Sequence, residues 1–83
     1  MAEREAAKVI HYYDKIMVAL IKLTDALSVG DTVKFVYRDK EFSQIIASME
    51  VNHAQVKTAL AGDEVAVKAE QATHEGARVL KIE

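Results

Sequence analysis

Cysteine is missing from all 83 residues, which excludes disulfide staples, thiolate metal sites and a cysteine nucleophile together. Proline is missing as well, so no candidate strand is interrupted by a residue without an N–H. Glycine occurs only at positions 30, 62 and 76, too sparsely for a Gly-x-x-x-x-Gly-Lys phosphate loop. Long apolar runs are lacking too. The longest, Ile16 to Ile21, falls far below the roughly 18 residues that suggest a membrane span. Charge of one sign is also scarce: 11 basic residues stand against 13 acidic ones, a formal net charge of -2, which gives no bulk field for nucleic acid.

What is present suits one small globular unit. Hydrophobic residues make up 51% of the chain, enough for a core in a domain expected to span residues 1–83. A domain this small buries only roughly 60% of its unfolded surface, so nearly every inward position has to be apolar. The opening Met1-Ala2-Glu3-Arg4-Glu5 carries both charges and leads into no apolar signal segment. A cytoplasmic location, with no membrane association, is the expectation.

Strand-like patterns dominate. Ala6 to Tyr13 and Ile16 to Leu23 are β-prone runs joined by Asp14-Lys15, which predicts a hairpin. The second run sets Ile16, Val18 and Leu20 on one face and Met17, Ala19, Ile21 and Leu23 on the other, and both faces read as buried. Thr32 to Arg38 alternates clearly, with Val33, Phe35 and Tyr37 inward, and the charged turn Arg38-Asp39-Lys40-Glu41 follows. Glu64 to Ala69 and Ala77 to Ile82 are short alternating strands, each after a glycine turn.

The stretch from Phe42 onward is ambiguous. Phe42, Ile45, Ile46, Met49, Val56 and Leu60 fall near a helical spacing, which allows one amphipathic helix. A strand over Phe42 to Val51 instead needs Ser43, Ile45, Ala47, Met49 and Val51 inward, with Phe42, Gln44, Ser48 and Glu50 outward. At most one helical turn is then allowed around Gln55 to Leu60. Periodicity does not choose between them.

Two Gly-Asp turns bring a resemblance into view. Ser48-Met49-Glu50-Val51-Asn52-His53, followed by Ala59-Leu60-Ala61-Gly62-Asp63-Glu64-Val65, resembles domain 2 of elongation factors Tu and 1-alpha. There a similar strand leads to Ala-x-x-Gly-Asp-x-Val. Upstream, Leu27-Ser28-Val29-Gly30-Asp31-Thr32-Val33 resembles the preceding turn of the same family. The resemblance covers roughly Ile16 to Ala69 and implies a stand-alone translation elongation factor-like protein. Its fold would be all-β, a small six-stranded Greek-key barrel of the translation-factor domain 2 type. On this basis the strand is taken for Phe42 to Val51, and Gly30, Asp31, Gly62 and Asp63 are expected as structural turns. Without a phosphate loop, GTP hydrolysis by this chain is excluded.

Chemistry-bearing residues are thin. His11, His53 and His74 are scattered and form no His-x-x-x-His pair; two read as solvated and His53 as held in the loop after a strand. Ser43 and Ser48 lack a Gly-x-Ser-x-Gly context, and the carboxylates form no catalytic pair. The expectation is therefore no enzyme, no catalytic residue, no metal and no cofactor. For RNA the candidate surface is Lys34, Arg38 and Lys40, with Tyr37 and Phe42 for stacking, although Asp39 and Glu41 offset the basic residues.

Two functions from different classes are expected. One is a translation-associated barrel binding tRNA or a ribosomal element. The other is a protein-interaction or oligomerisation module that sets Met17, Ala19, Ile21 and Leu23, on the run from Ile16 to Leu23, against a partner such as a separate translation factor.

Overall fold

In the computed structural model, residues 3–82 are described, and among them every regular element is a strand. These are β1 (Glu3–Tyr13), β2 (Val18–Leu23), β3 (Leu27–Ser28), β4 (Thr32–Tyr37), β5 (Lys40–Ile45), β6 (Met49–Val51), β7 (Ala54–Val56), β8 (Thr58–Ala59), β9 (Glu64–Lys68) and β10 (Arg78–Ile82). Eight of them form one antiparallel sheet in the order β5-β4-β10-β1-β2-β9-β6-β7, and β3 pairs with β8 in a separate ribbon. The all-β expectation holds. Ten strands replace the six expected, because short loops split the pairing into pieces of two or three residues.

β1 lies in mid-sheet and bends twice. Its register slips between Glu5 and Ala7 against β10 and between Val9 and His11 against β2. Each slip is a bulge that re-aims the side chains that follow, which is how Ala6 and Ala7 are both buried although adjacent. The predicted hairpin with β2 forms, but its loop runs from Asp14 to Met17 rather than through two residues.

Three corners share one construction. Gly30, Gly62 and Gly76 are each the third residue of a four-residue turn, closed at 3.1 Å by Asp31 N–H to Ser28 C=O, Asp63 N–H to Leu60 C=O and Ala77 N–H to His74 C=O. A φ near +90° is needed at that place, and only glycine adopts it without a Cβ clash. Each glycine N–H then donates to one residue of a neighbouring segment, whose own N–H donates back to the carbonyl after the glycine. The three neighbours are Ile46, Leu23 and Val9. At the first two corners the aspartate adds a further bond, Oδ2 accepting from Ser28 N–H at 2.8 Å and from Leu60 N–H at 3.0 Å. Gly30, Asp31, Gly62 and Asp63 thus sit in corners closed by these hydrogen bonds.

Inward residues meet in one core that includes Val9, Ile21, Leu23, Leu27, Val33, Phe35, Ile46, Met49, Val65, Val67 and Val79. Fully burying each such side chain contributes about 1.5–3 kcal/mol. β4 follows its predicted alternation, with Val33 and Phe35 buried and Tyr37 packed on the core. β5 does not follow its prediction. Phe42 lies directly opposite Phe35 and stacks on it at 5.0 Å, and Gln44 is buried, while Ser43 and Ile45 face out. The chain then leaves the ladder at residues 46–48, dropping Ile46 into the core, before β6 resumes with Met49 inward. No helical turn forms at Gln55 to Leu60, where β7 and β8 lie instead.

Gln44 joins the two flanks of the sheet. Its Nε2 donates to Lys68 C=O and its Oε1 accepts from Glu70 N–H, both at 2.8 Å. A side-chain amide here does what a strand backbone does, linking β5 to the end of β9.

Candidate functional site

The basic hairpin is largely neutralised. Lys34 sits between Glu3 at 2.8 Å and Glu41 at 3.9 Å, and its hydrogen bond to Glu3 holds the ammonium above its ordinary value despite partial desolvation. Phe42 is committed to Phe35 inside the fold. Lys40 is exposed, and Arg38 lies over the Tyr37 ring at 5.3 Å from its centroid. Of the five residues expected to form one surface, the structure brings Tyr37 and Arg38 together and sends Lys34 and Phe42 to opposite faces of the sheet.

The face offered for a protein partner is corrected outright. Ala19, Ile21 and Leu23 are fully buried in the core, because strand alternation against β1 and β9 turns them inward, and Met17 lies in the loop with φ +54°. Val18 and Leu20 take the other side, in a shallow groove of about 710 Å³ together with Ile16 and Ala66. His53 stands at its rim in a two-residue turn, where Asn52 and His53 both have positive φ. That places it after a strand, as expected.

A second concavity, about 620 Å³, opens where β1 and β4 end against the segment carrying residues 72–75. Its rings are Tyr12, Tyr37 and His74, with Tyr37 and His74 centroids 4.8 Å apart. Asp14 and Glu75 supply carboxylates, and Glu75 reaches the His11 imidazole at 3.3 Å. Thr73 also lines the concavity and is buried. No sequence pattern marks this cleft, since its parts come from three separated segments: Tyr12, Tyr37 and His74 each carry a sequence signal of their own, but nothing in the sequence joins them. Among the described residues no group of three or more His, Asp or Glu could hold a metal ion. Nor is any helix long and apolar enough to cross a membrane.

Comparison with known proteins redirects the reading. The chain is 34% identical over 76 residues, 90% of its length, to an uncharacterized protease of Methanocaldococcus jannaschii. It spans 19% of that relative's length. Two crystal structures of the C-terminal domain of a protein assigned to the U32 peptidases, from Geobacillus thermoleovorans, superpose with TM-scores of 0.89 and 0.87. They share 18% and 17% identity with it, each cover 95% of this chain, and are themselves covered to 92% and 99%. The fold is that of a U32 peptidase C-terminal domain. No family model matches the chain.

The kinship with elongation factors is overturned by these matches, and with it the translation-related function. The physical reason lies in the corners: Gly-Asp-x-Val supplies a positive φ, a turn-closing carboxylate and the first inward residue of a strand. Any small curled sheet can use that chemistry, so it specifies a corner rather than a lineage. The expectation that the chain is no enzyme is corrected by the same finding, because its sequence relative is named a protease. The interaction module built on Ile21 and Leu23 finds no support in either comparison.

Proposed function

We propose that this chain works as the β domain of a U32-type peptidase and holds polypeptide for it in the cleft formed by Tyr12, Tyr37 and residues 72–75. The observation that carries this reading is the sequence match to a protein named as a protease, since it takes in nearly the whole chain. Cleft chemistry supports it. Tyr12, Tyr37 and His74 offer flat ring faces, and Asp14 and Glu75 offer acceptors, a mixture suited to the side chains and N–H groups of an extended peptide. Further parts of the proposal are that the curled sheet is a small barrel closed at Gln44 and that residues 1–83 form one domain. It would work in the cytoplasm.

Fluorescence anisotropy of a labelled, permanently unfolded casein titrated with the chain tests the reading. Binding that saturates below about millimolar concentration and weakens in Tyr37→Leu is expected. No anisotropy change up to that concentration, with the chain folded by circular dichroism, would overturn it.

A further inference from the structure

The cleft's composition is more specific than polypeptide binding requires. Three rings converge with two carboxylates, and the chain's own Arg38 already lies over one of those rings, 5.3 Å from the Tyr37 centroid. A guanidinium is planar, weakly hydrated and always charged, so it stacks on aromatic faces and pairs with carboxylates at once. Lysine offers a compact point charge and satisfies only the second demand. The groups beside the cleft that could oppose a bound cation include the His11 and His74 rings and the Arg38 guanidinium over Tyr37. His11 engages Glu75 at 3.3 Å, and with both side chains about half exposed or more, water screens that pair and leaves the carboxylate accessible.

Resting on the reading that the domain holds polypeptide, we propose that this cleft selects arginine side chains, the guanidinium lying against Tyr12 and Tyr37 and pairing with Asp14 and Glu75. The ligand class is thus an arginine-bearing segment of an unfolded or extended polypeptide. Arg38 is a competitor for the Tyr37 face rather than part of the receptor. A volume of about 620 Å³ is ample for one long side chain and the backbone on either side of it.

The test is a titration of the isotope-labelled chain with blocked pentapeptides that differ only at the central residue, arginine, citrulline or lysine, followed by amide chemical shifts. Citrulline keeps the shape and removes the charge. The arginine peptide is expected to shift Tyr37, Thr73, His74 and Glu75 and to bind about ten-fold tighter than the citrulline peptide. Tyr37→Leu and Glu75→Gln should each weaken arginine binding by about two- to five-fold. Tyr37→Phe, which keeps the ring, should restore it, and Arg38→Ala should tighten it. Equal affinity for arginine and citrulline, or for arginine and lysine, would overturn arginine selection while leaving polypeptide binding in place, and shifts confined to another face would overturn both the selection and the placement of polypeptide in this cleft. Absence of binding by every peptide and by unfolded casein would remove both.

Discussion

Replacing Gln44 by leucine removes a side chain whose hydrogen bonds tie β5 to the end of β9. Two hydrogen bonds of 2.8 Å disappear, and Lys68 C=O and Glu70 N–H lose the partners they had. A lost bond is worth about 0.5–1.5 kcal/mol, and a backbone group left without a partner costs about 1–3 kcal/mol when water cannot reach it. Lys68 and Glu70 are exposed residues, so water relieves part of that penalty, and about 2–3 kcal/mol in total is the expected loss. In a domain of this size that lowers Tm by about 8–24 °C. Thermal unfolding followed by far-ultraviolet circular dichroism reads the loss, and amide exchange should localise it to Glu70. Gln44→Glu adds a sign test. An ionised carboxylate still accepts from Glu70 N–H but faces Lys68 C=O with no proton to give, so the folded state raises the pKa of the introduced carboxyl. Its stabilising contribution is then complete below the unfolded pKa and is lost as pH rises through the folded value. Acidification should therefore narrow the gap between Gln44→Glu and the wild type. A Gln44→Leu variant within about 0.5 kcal/mol of the wild type, with Glu70 still protected, would refute the closing role.

Asp31→Ala and Asp63→Ala each remove a carboxylate that closes a glycine corner, at about 1–2 kcal/mol. Asp31 should cost more, since Lys81 also reaches its carboxylate at 3.4 Å, and urea denaturation of the two single variants and the double variant should show near-additive losses. His53→Gly should stabilise by about 0.5–1 kcal/mol, because His53 is held at φ +65° in a two-residue turn where Asn-Gly is preferred; an unchanged Tm would contradict this. Lys34→Met should lower Tm at neutral pH, since the folded lysine has a raised pKa and contributes fully below the unfolded value. The difference should fade as pH climbs beyond 10.5 and the wild-type ammonium discharges.

Local chemistry made some of this fold legible, while pairing decided the rest. Strict alternation in Val33, Phe35 and Tyr37 announced β4, and the glycines announced the corners, because both signals are contained in a few adjacent residues. β5 was misphased because Phe42, Ile45 and Ile46 offer apolar residues to either face. The choice fell to Phe35, which stacks on Phe42, and to Lys68 and Glu70, which draw Gln44 inward. A buried glutamine is a weak cue without its partners. β7 and β8 were invisible for another reason: at three and two residues they are too short to show a period, and they exist through β6 and β3. The cleft could not be read at all, since Tyr12, Tyr37 and residues 72–75 meet only after the sheet has curled. The familiar Gly-Asp turns supplied a true corner and a false ancestry.

Exchange of the matched segment in the Methanocaldococcus jannaschii protease for this chain asks most directly whether the domain holds polypeptide for such a protein. Capture of unfolded casein by the intact protease, the segment-deleted protease and the exchanged protein should be compared, with melting curves confirming that all three fold. Capture lost on deletion, restored by the exchange and lost again with Tyr37→Leu and Glu75→Gln is the predicted result. An exchanged protein that folds yet captures no more casein than the deletion would contradict it.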